Sequence, residues 1–242
     1  MYGYSFNFNH GVLSSGGGGG AVNPLWDDLQ AYYTADNTPN DALGNYNGTL
    51  VNGATYGSGI INQGFSLDGV NDYVDLGNNF DNDGTQAQSF SLWVKLNTLS
   101  TFAFVSKMNH SIPFNGWAVQ LVGSKANLVF SNNATGGLYA QTENTQVLTT
   151  NTWYHIVATY DGSKSASGIK IYIDCSIGTQ NIIKDTLSTN STSSTGIKAT
   201  ISSRNGSSIF TNGIIDEVGI WDRELTASEV TELYNSGAGK QY

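Results

Sequence analysis

Hydrophobic positions in this chain come in short runs, and most runs alternate. Phe90, Leu92, Val94 and Leu96 occupy every second position, and Trp153, His155, Val157 and Thr159 repeat the pattern. A period of two places one set of side chains on a single face of a sheet. From residue 29 onward such runs recur between Gly, Asn, Asp and Ser turns. They predict strands at Gln30–Thr34, Gly64–Leu67, Tyr73–Leu76, Ser89–Leu96, Phe102–Lys107, Trp117–Leu121, Asn127–Ser131, Trp153–Tyr160, Gly168–Ile173, Lys198–Ser202 and Gly213–Trp221. No helical periodicity lies between them, so the strands connect by turns and pair antiparallel. The fold predicted is all-β, a two-sheet antiparallel jelly-roll sandwich. One short C-terminal helix closes it. Thr226-Ala227-Ser228-Glu229 is a capping box, Val230 and Leu233 give an apolar stripe, and Gly237 offers a stop.

Residues 1–23 break the pattern. Tyr2, Tyr4, Phe6 and Phe8 alternate, and Ser14-Ser15 leads into the glycine run Gly16–Gly20. A Gly/Ser run is normally a flexible linker. The segment is therefore read as an N-terminal anchor and linker, with residues 24–242 as the domain. The aromatic strand is expected to dock on another subunit of a larger assembly. The alternative is that it adds to the domain's own sheet. The start has neither the basic nor the apolar region of a signal peptide.

Composition narrows the partners. Only 12% of residues are charged and the formal net charge is −9. Without a Lys/Arg cluster the chain lacks the cations that nucleic acid and anionic membranes demand, so neither is an expected partner. No apolar run approaches the roughly 20 residues of a membrane helix, so no membrane insertion is expected. The acidity suits a bound cation. The single cysteine, Cys175, cannot form an internal disulfide and reads as a structural thiol in a strand-like run.

Three segments then stand out in order. They are Phe65-Ser66-Leu67-Asp68-Gly69-Val70-Asn71-Asp72-Tyr73-Val74, Trp153–Gly162 with Ile169–Asp174, and Gly213-Ile214-Ile215-Asp216-Glu217-Val218-Gly219-Ile220-Trp221 running into Arg223–Thr226. Together with Ala31–Asp36 and the loop Asp41–Leu50, they resemble the laminin-G-like, concanavalin A-like lectin/glucanase superfamily. The resemblance spans about residues 29–236. It implies a structural Ca²⁺ between the opening loop and the late strand. The matching residues are Asp41, a carbonyl or amide from Gly44 or Asn45, and Asp216, with Asp36 as the next candidate. By alternation Asp216 shares a face with Ile214, Val218 and Ile220, a face that reads as core. A carboxylate there must be metal-bound, paired or hydrogen-bonded, and backbone N–H donors are the alternative to a metal.

The superfamily includes glycan hydrolases, whose chemistry needs two carboxylates in one cleft. Their Glu-x-Asp-x-x-Glu strand has no counterpart here, and Asp216 and Glu217 are adjacent, hence on opposite faces of a regular strand. There is no nucleophile elbow and no phosphate loop. A non-enzymatic role is expected. Loop aromatics and amides at Phe114, Asn115, Trp117, Asn132, Asn133 and Tyr139 are the candidate ligand-binding residues, with glycans as the ligand class. The leading reading is a virion surface protein, a head or tail decoration or fibre, on the virion surface or otherwise extracellular. In it residues 1–23 join virion or assembly subunits, and a homo-oligomer is expected. A free carbohydrate-binding lectin module is the alternative, and a glycan hydrolase the third.

Overall fold

The computed structural model describes residues 24–132 and 138–242. The anchor expected over residues 1–23, and Asn133, lie outside them. The strands are β1 (Leu29–Tyr33), β2 (Thr49–Val51), β3 (Thr55–Ser58), β4 (Gln63–Asp68), β5 (Tyr73–Asp75), β6 (Gln88–Leu96), β7 (Phe102–Met108), β8 (Gly116–Val122), β9 (Lys125–Asn132), β10 (Leu138–Val147), β11 (Trp153–Tyr160), β12 (Ile169–Ile173), β13 (Gln180–Asp185), β14 (Thr200–Ile201) and β15 (Asn212–Trp221). One helix, α1 (Ala227–Tyr234), follows. A seven-stranded sheet runs β12-β11-β6-β15-β4-β3, with β1 also paired to β15. An eight-stranded sheet runs β13-β10-β9-β8-β7-β14-β5-β2. The pairings are antiparallel throughout. The predicted antiparallel sandwich with one C-terminal helix is the fold observed.

The core fills the space between the inner faces. Phe65, Phe90, Leu92, Val94 and Ile156 enter from the seven-stranded sheet, and Phe104, Trp117, Val119, Leu121 and Phe130 from the eight-stranded one. Phe90 and Trp117 meet with ring centroids 4.4 Å apart, and Phe130 and Tyr160 at 4.2 Å. Trp117 therefore corrects an expectation. It is fully buried in β8, and its Nε1–H donates to the Phe80 carbonyl at 2.9 Å. Alternation puts it inward with Val119 and Leu121, where no ligand reaches it.

A smaller layer covers the outer face of the seven-stranded sheet. There α1 and the first described residues pack Val230, Leu233 and Leu25 on Tyr32, Tyr172 and Trp221. Trp26 stacks on Trp221 at 6.2 Å. The capping box forms as the sequence predicts. The helix ends two residues earlier than Gly237, at Asn235 (φ 47°), since asparagine also tolerates the left-handed conformation.

His155 belongs to this outer face. It is 1% exposed, stacks on Trp93 at 5.0 Å, and shares a hydrogen bond between Nε2 and Ser91 Oγ at 2.9 Å. Its Nδ1 has no partner, and burial pushes its pKa down to about 3. The ring thus stays neutral in the native state, while the unfolded chain protonates it below about 6.5. Its contribution is present above that value and is lost as pH falls toward about 3. The slope is about 1.4 kcal/mol per pH unit. Thermal melts from pH 7 to 4 are expected to show a steeper acid limb for the wild type than for His155→Gln. Parallel limbs would refute the assignment.

Candidate functional site

The opening loop is organised by one carboxylate. Asp41 Oδ1 accepts from the Tyr32 and Leu43 backbone N–H groups at 2.8 and 3.1 Å, and Oδ2 from those of Asn45 and Tyr46 at 3.0 and 3.1 Å. Gly44 sits at φ +77° and closes the turn through its N–H to the Asp41 carbonyl. Four donors occupy this carboxylate, and Asn45 turns an N–H toward it rather than an oxygen. A Ca²⁺ ion needs six to eight oxygen ligands with lone pairs free. The expected set of Asp41, Gly44, Asn45 and Asp216 does not fit such an ion.

Asp216 lies elsewhere, because β15 is not regular. Asp216 pairs with Trp93 and Gly219 with Ser91, so β15 carries one extra residue here. This is a β-bulge, with Glu217 at φ 51°. The bulge corrects the face assignment. Ile215, Val218 and Ile220 enter the core, while Asp216 turns with Ile214 to the outer side. Its Oδ2 accepts from the Ile60 and Ile61 N–H groups at 2.9 and 3.2 Å, and Oδ1 from Glu217 N–H at 2.9 Å. A Cβ on Gly59 would stand 2.4 Å from Asp216 Oδ2, so glycine is what lets this turn approach.

The bulge also gathers three carboxylates. Gln241 Nε2 donates to Glu217 Oε1 at 2.7 Å and to Asp36 Oδ2 at 3.0 Å. Burial pushes Asp216 up to about 7 against its three N–H donors, and the Asp36 charge adds to the rise. Burial likewise pushes Glu217 up to about 8, with the charges of Asp216 and Asp36 adding. Among the described residues none of the three carboxylates has a salt-bridge partner. No three described His, Cys, Asp or Glu side chains stand as a ready metal-ligand set. Glu217 Oε2 is nevertheless buried with no hydrogen-bond partner, the one carboxylate oxygen so placed among the described residues.

A different site occupies the outer face of the eight-stranded sheet. Register puts Met108, Ala118, Gln120, Asn127, Val129, Ser131, Tyr139 and Gln141 there, because each pairs across its strand with another of the set or with Gly116. A pocket of ≈ 210 Å³ opens between Phe114, Tyr139, Gln120, Gln141, Met108 and Arg204. Pockets for drug-sized ligands begin near 300 Å³, so this one suits a single sugar ring. Phe114 is carried by the β7–β8 loop, which the Asn109 N–H to Asn115 carbonyl bond closes. Arg204 follows β14 in a turn held by Ser106 Oγ donating to the Ser203 carbonyl at 2.6 Å. Its guanidinium lies 5.8 Å from the Phe114 ring centre and donates to Gln120 Oε1. Gln120 and Gln141 both donate to Asn127 Oδ1.

Two of the expected ligand residues, Phe114 and Tyr139, thus come together. Asn115 closes the loop that carries Phe114 through its carbonyl, and Asn132 points away, donating to the Ser191 carbonyl. Arg204, Gln120 and Gln141 were missed. The glutamines were legible as outward positions between Trp117, Val119 and Leu121 or within β10. Arg204 lies in a loop and carries no pattern. A larger hollow, ≈ 450 Å³ beside Cys175, Tyr234 and Lys240, offers less. Its lysine is paired to Glu232, and the Tyr234 ring is stacked on Trp93.

Comparison with known proteins agrees with this fold. The family model described as the concanavalin A-like lectin/glucanases superfamily matches residues 68–231, more than half of the chain. The chain belongs to that superfamily, in its laminin G-like branch. Among solved structures it is similar to domain 4 of AbnA, an extracellular arabinanase from Geobacillus stearothermophilus, in complex with arabinotriose. There the identity is 22%, with 85% of this chain and 97% of that one covered and a TM-score of 0.60. It is similar also to the binding domain of paraclostridial mosquitocidal protein 1, at 16% identity, covering 88% of this chain and 53% of that one, with a TM-score of 0.68. A third is the botulinum neurotoxin serotype D ligand-binding domain in complex with N-acetylneuraminic acid, at 16% identity, 87% and 51% coverage and a TM-score of 0.60. The chain spans about half the length of these toxin domains. No curated protein matches by sequence.

Proposed function

We propose that this chain is a non-enzymatic, lectin-like adhesion domain that takes a sugar ring in the Phe114–Tyr139–Arg204 pocket. The observation that carries the reading is the convergence of two aromatic rings with amide and guanidinium groups over one sheet face. Aromatic faces give a sugar area, and a few polar groups orient it. The pocket lining holds no carboxylate, so the acid and nucleophile of a glycan hydrolase have no place there. Arabinotriose and N-acetylneuraminic acid are ligands in structures of the neighbours, which supports the ligand class. Among the described residues no helix is long and apolar enough to cross a membrane. We propose further that the domain is displayed on a virion surface as a decoration or fibre, tethered through the alternating aromatics and glycine run of residues 1–23.

One set of measurements checks both parts. Glycan-array screening followed by titration calorimetry should find saturable sugar binding. Tyr139→Ala should weaken it about tenfold, near 1.4 kcal/mol. Deleting residues 1–23 should leave the per-domain affinity unchanged and abolish oligomerisation. A Tyr139→Ala protein binding as the wild type does would sink the pocket. A truncated chain that still assembles would sink the tether.

We infer also that a proton, and not the Ca²⁺ that the resemblance implies, neutralises the Asp216–Glu217 pair, because Asp216 gives its oxygens to three N–H donors, as Asp41 does to four, and Asp36 accepts from Asn62, Gln63 and Gln241. Melting in Ca²⁺ and in EDTA should therefore agree, and Glu217→Gln should melt no lower than the wild type at pH 7. Asp41→Asn should cost about 3 kcal/mol of stability, since an amide keeps one acceptor oxygen and strands two N–H donors. A wild type that melts several degrees higher in Ca²⁺ than in EDTA would show that a cation neutralises the cluster instead.

A further inference from the structure

Arg204 is set apart from the other cations of this acidic chain. The sequence has ten Lys and Arg against nineteen Asp and Glu. Among the described residues Lys125, Lys170, Lys198, Arg223 and Lys240 form salt bridges. Lys95, Lys107, Lys164, Lys184 and Arg204 form none there; of the two whose pKa burial depresses, Lys107 gives its ammonium to Asn78 Oδ1 and the Ile197 carbonyl, while Arg204 keeps one nitrogen without a partner. Residues 1–23 and 133–137 contain no Asp or Glu, so they supply no side-chain carboxylate for it either. Its Nε is buried with no hydrogen-bond partner, the one cationic nitrogen so placed among the described residues.

The surroundings repeat the sign. Lys184, across the strand pair from Gln141, holds its ammonium 4.8 Å from the Tyr139 ring centre. Two cations thus lie against the two aromatic rings of the pocket, Lys184 at Tyr139 and Arg204 at Phe114, and no carboxylate stands in the lining. Ser131, the cross-strand partner of Tyr139, adds a buried hydroxyl without a partner. A desolvated guanidinium without a counter-ion is costly, and a chain with a large excess of carboxylates had many ways to supply one. A planar fork of donors is the group best matched to a carboxylate or a sulfate.

We infer that the pocket's ligand is an acidic sugar, one whose ring bears a carboxylate or a sulfate received by Arg204. This rests on the sugar-binding reading above and narrows it to a ligand class. The test is calorimetric titration of the full chain with three methyl glycosides: a hexuronate, a sulfated hexose and the neutral parent hexose. At low salt at least one acidic glycoside should bind ten times more tightly than the neutral one, and the advantage should shrink as salt rises. Which acidic arm wins separates carboxylate from sulfate. Arg204→Gln should erase the advantage, weakening the acidic glycoside about ten times more than it weakens the neutral sugar. Lys184→Ala, a surface change, should reduce the advantage without touching the fold. Equal wild-type affinity for acidic and neutral sugars would overturn the inference while leaving sugar binding intact. Equal weakening of all three by Arg204→Gln, in a protein whose melting is unchanged, would also overturn it. Failure of all three to bind, alongside neutral glycans bound on the array, would overturn it too. Failure of every glycan would remove the sugar-binding reading as well.

Discussion

The contact between the two inner sheet faces is what every other feature of this molecule depends on. Phe90 and Trp117 meet across it, and around them nearly every inward position is fully buried. Because successive side chains alternate, fixing the inner set fixes the outer one. Trp117, Val119 and Leu121 cannot sit inward unless Ala118 and Gln120 face out. The rigidity of the pocket floor is therefore borrowed from the core beneath it. The loops need only bring Phe114 and Arg204 to a surface that is already in place.

The same alternation explains how much could be read in advance. Strands that feed the core carried strong periodic signals, and β6, β8, β11 and β15 stand close to where the pattern put them. β10 and β13 did not announce themselves. The first is Leu-Tyr-Ala-Gln-Thr-Glu-Asn-Thr-Gln-Val, polar even where it is buried, because Thr142 and Asn144 spend their polar atoms on the Ala166, Ile171 and Ile177 carbonyls. The second is an edge strand whose Ile182 and Ile183 are exposed. The capping box was legible because its chemistry is local. Of the site, Phe114 and Tyr139 were legible as aromatics beside turns. Arg204 was not, because its meaning comes from what fails to surround it, and absence of a partner is a three-dimensional property.

The bulge at Glu217 shows where alternation misleads. A single extra residue rotates Asp216 off the face that its spacing implied and brings it beside a neighbour that a regular strand would have pointed the other way. Asp41, by contrast, holds four backbone N–H groups and is a cornerstone of the loop, not a ligand in waiting. Both aspartates are held by backbone N–H donors, but in different surroundings. One has its charge fully dispersed over backbone donors. The other shares a buried acidic cluster.

The orphaned oxygen of Glu217 and the orphaned nitrogen of Arg204 lie on opposite outer faces of the sandwich, with the core between them. Packed sheets stand about 10 Å apart, filled here with hydrocarbon and aromatic rings. The two charges are thereby insulated from each other. A proton gained or lost at the acidic end therefore leaves the charge at the basic end as it was, and the two ends respond to pH and salt independently until the sheets themselves part.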